Sequence, residues 1–458
     1  MARTFMVRQG RLMTHIRTGW LLLGALGLAT SSVARQAESA AGHVPSSEAA
    51  SVPQKGSDAT VEVFLTALKH RDFAGAAGHF DANLASALPK EKLASVWDAQ
   101  IATLGSLNSW AIVQRASANG KDVRLVLLRF EQGELQAILS VSPQTQQLAG
   151  LSFAPVPKSA GASYVNPSGF RTEEVSVGSA PFLLKGTLSV PTGKGPFPAV
   201  VLVHGSGPND RDESIGANKP FRDIAEGLAS RGIVVLRYDK RTFQYARQLS
   251  NSISIDDEVV LDAVAAVNLL RARPEVDAAR VFVLGHSLGA LLAPEIAVRS
   301  EGTAGVILLA APGRAPWDSI LAQMRYLKVP ADKLAEVEKA VKRLKAGTLG
   351  DDTLLGVPAS YWQDWASRDG VAMVKKLGKP TLILRGERDY QVTEEDLTTW
   401  QKGLRGLPNV EIILLPGVNH LFMKESGKPG PAEYGVLGHV DEAVIERLAS
   451  FISRPKPQ

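Results

Sequence analysis

The 458-residue chain contains no cysteine. It therefore folds without disulfides, holds no cysteine-ligated metal and offers no cysteine for lipid attachment. Aromatic residues make up only 6% of it, and no basic patch interleaves with them in the way nucleic-acid recognition requires, so nucleic acid is not expected as a partner. A membrane-spanning helix needs roughly 20 apolar residues in succession; the run from Trp20 to Ala29 is too short. With 45% apolar and 21% charged residues, the composition is that of a soluble globular protein, and its length suggests two or three domains.

The first segment differs in kind from the rest. Arg3, Arg8, Arg11 and Arg17 precede the Trp20–Ala29 run, and Ser32-Val33-Ala34 supplies small residues of the sort a signal peptidase reads. Residues 1–34 are expected to be a cleaved export signal, which places the mature protein in the periplasm or outside the cell, with no stable membrane span. Losing the four arginines takes the formal charge from +5 to +1, so the basic balance of the whole chain says little about partners. Residues 35–57 are small, polar and aperiodic, and are expected to be a flexible tether.

From Asp58, a plausible N-cap, Val61, Phe64, Leu65 and Leu68 fall at helical spacing. Two more helical stripes follow, over Phe73–Phe80 and from near Pro89. The period then shortens: Trp110–Ala116, Val123–Phe130, Leu135–Val141 and Leu148–Phe153 read as strands separated by Asn119-Gly120, Gln132-Gly133 and Pro143-Gln144. Residues 58–155 are thus a small α+β domain. The order of its elements and its VEVFLTALKHRDF start resemble the small exported domain of unknown function with a nuclear-transport-factor-like cone. His70 and His79 read as surface or helix-end histidines, and the domain as a binding or positioning module. Pro155 to Pro167, with three prolines and pairs of small residues, marks a domain boundary, and residues 156–170 are expected to be a linker.

The informative stretch is Val281–Gly289, VFVLGHSLG. Four apolar or β-branched residues run straight into Gly285-His286-Ser287-Leu288-Gly289, a G-x-S-x-G turn from a buried strand to a helix. Such a turn lifts the serine Oγ clear of its own backbone, and its glycines avoid Cβ clashes. Pro294 falls inside the following helix and is expected to bend it. Around this turn, Ala199–Val203, Ile233–Arg237, Gly305–Ala310, Thr381–Leu384 and Val410–Leu415 are apolar strands alternating with helices, including a capped one from about Ser254. That alternation means a mostly parallel α/β sheet covered on both faces, with ligands at its carboxyl edge.

Residues 171–458 resemble an α/β-hydrolase, in particular a bacterial exported, esterase-like group, through LVHGSGPNDRDESIGANKPFRD, RYDKRT, GHSLGA, YWQDW, GERDYQV and GVNHLF. The resemblance implies a nucleophilic serine, an acid and a histidine in that order. A serine hydroxyl needs a base to take its proton and a third group to hold that base. The candidates are Ser287, Asp389 just past the Thr381 strand, and His420 in Gly417-Val-Asn-His420. Glu387 and Asp396 rival Asp389, and His439, at the start of the last helix, rivals His420. An oxyanion hole would use the backbone N–H of Leu288 and one from His204-Gly-Ser-Gly207, with Ser206 favoured and Gly207 as rival and substrate contact. His204 and His286 are expected to be structural.

Some 70 residues separate Ala310 from Thr381, more than a crossover needs, and a lid is expected over about 313–375. Its Trp317 and Trp362 are candidates for an acyl-binding wall or for packing the lid to the body. The acidic loop Asn209–Glu213 and Asp239-Lys-Arg241 are expected to pair Arg with Asp along the rim and to hold no metal. No cofactor is implied. The expected function is an exported serine hydrolase of small-molecule carboxylic esters or thioesters, acting through an acyl-enzyme. A serine peptidase or amidase of the same fold is the alternative, as is an envelope ligand-binding protein with incidental hydrolysis.

Overall fold

The computed structural model describes residues 55–118, 120–155, 161–246, 248–249, 253–350 and 352–454. The expected export signal, and the tether as far as residue 54, lie outside the described residues. Among these residues no helix is long and apolar enough to cross a membrane.

The N-terminal unit opens with α1 (Lys55–Lys69), α2 (Phe73–Ala77), α3 (Ala82–Ala87) and α4 (Lys90–Leu104). It continues with β1 (Leu107–Ala118), β2 (Lys121–Phe130), β3 (Glu134–Val141) and β4 (Leu148–Pro155), paired antiparallel in sequence order. The stripe Val61, Phe64, Leu65 and Leu68 of α1 packs with Val126 and Leu128 of β2 and Ala137 and Leu139 of β3 in one core. α1 starts three residues before Asp58, so residues 55–57 are helix rather than tether. Asp58 then lies in the first turn instead of capping it, and accepts from Arg124 Nε at 2.5 Å. An arginine that is wholly buried needs such a partner, and this one displaces the cap the local sequence suggests. His70 is exposed near the end of α1, its Nδ1 bonded to the Thr66 carbonyl.

The second unit is built on an eight-stranded sheet in the order β14-β13-β10-β9-β7-β8-β6-β5. Antiparallel β5 (Phe170–Val177) and β6 (Leu184–Pro191) form one edge. The rest, β7 (Phe197–Val203), β8 (Val234–Tyr238), β9 (Val276–His286), β10 (Gly305–Leu309), β13 (Thr381–Gly386) and β14 (Val410–Leu415), run parallel. Burial on both faces explains why β7, β8, β10, β13 and the second half of β9 read as apolar runs, whereas β14, at the sheet edge, is only partly buried. Successive residues of β7 serve opposite layers. Val201 and Val203 join the core formed with α7 (Leu261–Arg271) and α8 (Leu288–Ser300), whereas Val200 and Leu202 join that of α5 (Pro220–Ala229) and α14 (Glu442–Ile452). α8 runs on through Pro294. Short α6 (Arg241–Gln244) follows β8. The helix expected from about Ser254 instead begins with a π turn, Asp256–Val260, before α7.

Between β10 and β13 lies the expected insertion: α9 (Pro316–Tyr326), α10 (Ala331–Lys345), the small hairpin β11 (Thr353–Leu354) and β12 (Val357–Pro358), α11 (Ala359–Ala366) and α12 (Gly370–Leu377). α13 (Glu394–Gly403) links β13 to β14. α11 is tied to the body rather than perched on it. Asp364 accepts from the Ile255 N–H at 2.8 Å, and Arg368 bridges Asp364, Asp256 and Glu295.

Candidate active site

Ser287 stands between the last residue of β9 and the first of α8, with φ 52° and ψ −117°. A non-glycine residue pays about 1–3 kcal/mol for such a conformation, and it persists only where the surroundings enforce it. Those surroundings are visible: the Ser287 N–H donates to the Leu309 carbonyl at 2.8 Å, and the glycines on either side are wedged against backbone. A Cβ on Gly285 would lie 2.0 Å from the Gly289 carbonyl oxygen, and one on Gly289 would lie 2.2 Å from that of Val203. Through residues 281–294 every residue is buried except Ser287. Gly289→Ala is therefore expected to cost ~3 kcal/mol by overpacking, read as a lower urea midpoint; an unchanged midpoint would show that the turn tolerates a side chain there.

Two sequence-distant residues meet next. Asp389 follows β13 in a tight turn, and its Oδ1 accepts from the backbone N–H groups of Gln391 at 2.8 Å and Val392 at 2.9 Å. Its Oδ2 accepts from His420 Nδ1 at 2.7 Å. Arg385 braces the same turn by donating to the Val392 and Asp389 carbonyls. Both Asp389 and His420 are buried. With Nδ1–H committed to the carboxylate, His420 keeps its Nε2 lone pair for a proton.

The rivals are engaged elsewhere. Asp396 caps α13 in a capping box with Thr393 and takes a bidentate contact from Arg314. Exposed Glu387 accepts from the Gly417 N–H. His439 pairs with Asp223, whose carboxylate also takes the Val440 N–H.

His286, expected to be structural, links the turn of Ser287 to the loop of His420. Its Nε2–H donates to the His420 carbonyl at 3.0 Å, its ring centroid lies 4.7 Å from that of His420, and its Nδ1 lies 3.0 Å from Glu213 Oε2. Burial disfavours charge on this ring, but Glu213 outweighs it and raises the His286 pKa. In the same way burial pushes Glu213 up, while His286 brings it below the usual carboxylate range. Both directions favour an imidazolium facing a carboxylate, in a buried strut behind the serine. His204 is different: burial takes it down to about 4 against the pull of Glu213, so it is a neutral ring packed between Phe221 and Tyr238.

The loop after β7 abuts the serine. A Cβ on Gly205 would meet Ser287 Cβ at 3.2 Å. Ser206 is partly exposed and Gly207 buried, and neither N–H donates to any group among the described residues. The Leu288 N–H opens a helix, where backbone donors have no intrahelical acceptor. These donors, beside a strained serine, are the parts an oxyanion hole requires.

Around the rim, Arg211 grips Asp239 through Nε and Nη2, and Asp212 pairs with Lys219 and Arg237. No group of residues suited to holding a metal is found among the described residues. Trp362 is wholly buried, stacked on Trp365 with its Nε1–H donating to the Leu354 carbonyl. Its ring serves the packing of the insertion instead of forming an acyl wall. Trp317 is partly exposed, with Lys345 Nζ 5.5 Å from its ring. Glu213, Asn209, Lys240 and Glu258 were not read as site residues. Asn209, Glu213 and Lys240 lie in the segments GSGPNDRDES and RYDKRT, which the sequence presents as rim electrostatics; Glu258 lies outside both, with no local signal.

A model described as the alpha/beta hydrolase family matches residues 200–429. Esterase EstD of Thermotoga maritima is 38% identical over 395 residues, covering 85% of this chain and 94% of that protein. That match is longer than residues 171–458, so it takes in part of the N-terminal unit as well. The uncharacterized peptidase YtmA of Bacillus subtilis is 23% identical over 210 residues, covering 46% of this chain and 70% of that protein. Among solved structures, an esterase of Pyrococcus furiosus matches with a TM-score of 0.42 and 18% identity, over 65% of this chain and all of that one.

Proposed function

The chain belongs to the alpha/beta hydrolase family, and from that premise we propose that it is a serine esterase using Ser287, His420 and Asp389. The observation that carries the reading is the 2.7 Å bond from His420 Nδ1 to Asp389, in a loop that His286 ties to the strained turn of Ser287. The similarity to an esterase along most of both chains supports the ester as the bond attacked.

The chemistry follows from these groups. Ser287 Oγ adds to the ester carbonyl carbon while His420 Nε2 takes its proton, and Asp389 stabilises the resulting imidazolium. The carbonyl oxygen becomes an oxyanion held by the N–H groups of Leu288 and Ser206. Collapse breaks the bond to the alcohol, which leaves with the proton from His420, and the acyl group stays on Ser287. Water, deprotonated by His420, then releases the acid by the same steps in reverse. Thioesters present the same carbonyl to the same donors with a better leaving group, and fall within the proposed range.

The proposal includes export. Four arginines, the Trp20–Ala29 run and Ser32-Val33-Ala34 support a cleaved signal, and the lack of cysteine suits a protein folding outside the cytoplasm without disulfide rearrangement.

The test is a panel of p-nitrophenyl esters of graded chain length run beside aminoacyl p-nitroanilides. Ester turnover should dominate, with short chains expected to be cleaved. Amide release with little ester turnover would replace the esterase by a peptidase of the same fold.

A further inference from the structure

Three carbonyl groups of the loop beside Ser287 point to one amide. Asn209 Nδ2 lies 3.2 Å from the Gly205 oxygen, 3.2 Å from that of Ser206 and 3.3 Å from that of Gly207. The Gly205 carbonyl also accepts from Lys240 Nζ at 2.8 Å. In a planar trans peptide, the carbonyl of one residue and the N–H of the next point in opposite directions. Holding the Gly205 carbonyl therefore aims the Ser206 N–H, and holding the Ser206 carbonyl aims the Gly207 N–H, away from Asn209 and Lys240. On the other side of Gly205, its own N–H donates to Glu213 Oε1 at 2.6 Å. The loop is gripped on both sides.

The lysine is an unusual clamp. Its side chain is 2% exposed, and it pairs at 2.5 Å with Glu258, which is fully enclosed. Glu258 Oε2 accepts in turn from Tyr361 Oη at 2.6 Å. Glu258 sits in the π turn Asp256–Val260, an irregularity common at functional sites; Tyr361 belongs to α11 of the insertion. A neutral hydrogen bond to Gly205 would have fixed the loop without the cost of burying a charge pair. An ammonium additionally polarises the Gly205–Ser206 peptide and strengthens its N–H as a donor.

We propose that Lys240, held by Glu258 and Tyr361, and Asn209 are positioning residues that orient the oxyanion-hole N–H of Ser206, whose peptide Lys240 also polarises. The inference rests on the serine-esterase reading of the same site. It assigns to the RYDKRT and GSGPND segments a role in the transition state rather than in substrate binding.

Two folded variants of the full chain test it: Asn209→Ala, and the double variant Lys240→Met with Glu258→Gln, which removes both buried charges together. Each is measured for kcat and KM on the best p-nitrophenyl ester, for inhibition by a trifluoromethyl ketone, whose adduct with the serine carries an oxyanion, and for thermal midpoint. A lost oxyanion donor costs on the order of 10²–10³ in kcat, so misaligned donors should cost about 10- to 100-fold here. KM should stay within about twofold, and the ketone should weaken in proportion to kcat/KM. Wild-type kcat in both folded variants, or losses in kcat that leave the ketone's affinity unchanged, would overturn the proposal. Absence of ester turnover in the wild-type protein would sink the esterase reading, and this inference with it; turnover in the wild type that neither variant alters sinks the inference alone.

Discussion

Ser287→Ala should abolish ester turnover, with a fall in kcat on the order of 10⁵-fold or more. Within residues 281–294 Ser287 is the one residue that is not buried, so no other group of that turn can take over as nucleophile. The variant should fold: alanine fits where serine does, and the Ser287 N–H keeps its bond to Leu309. Far-ultraviolet circular dichroism would therefore match the wild type, and KM measured on any residual activity would change little. Retention of even a tenth of the wild-type rate in the folded variant would mean that another nucleophile does the work.

Asp389→Asn is the second large effect, and the geometry says why an almost isosteric change should cost about 10⁴ in kcat. Oδ1 of Asp389 accepts from two backbone N–H groups, so the oxygen of an asparagine must stay on that side. Its NH₂ then faces His420 Nδ1, where an acceptor stood at 2.7 Å. To receive that donor, His420 must give up its Nδ1 proton and carry one on Nε2 instead, and the tautomer that serves as base is lost. The carbonyl contacts of Arg385 remain, so stability should hardly move. Steady-state kinetics and a thermal melt check both halves. A loss under tenfold would show that the carboxylate is not what fixes the imidazole.

The groups at this edge divide by whether a local pattern announces them. The Ser287 turn is legible because an apolar strand, two glycines and a helix follow one another without a gap. Asp389 and His420 are legible because each lies just past a strand of a parallel sheet, where chain order alone narrows the choice. The Glu213–His286 strut and the path from Gly205 through Lys240 and Glu258 to Tyr361 are not legible. Their members come from five separate loops and elements, and their pairing depends on burial that no spacing encodes. Tyr361 and Glu258 are 103 residues apart. The same reason misplaces two local readings. Asp58 looks like an N-cap until buried Arg124 claims it. The residues after Ser254 look like a plain α-helix until Glu258 must reach Lys240 from a π turn. Trp362 shows the limit of composition: an aromatic-rich insertion suits a substrate wall and a packed layer equally, and its full burial makes this ring part of the layer.

The most direct measurement is covalent. The protein is treated with a fluorophosphonate, digested and mapped by mass spectrometry, with His420→Ala and Ser287→Ala treated alongside. A single adduct on the peptide containing Ser287 is expected in the wild type, formed far more slowly in His420→Ala and not at all in Ser287→Ala. An adduct on any other residue, or labelling of Ser287 that proceeds at the wild-type rate without His420, would contradict a serine activated by that imidazole.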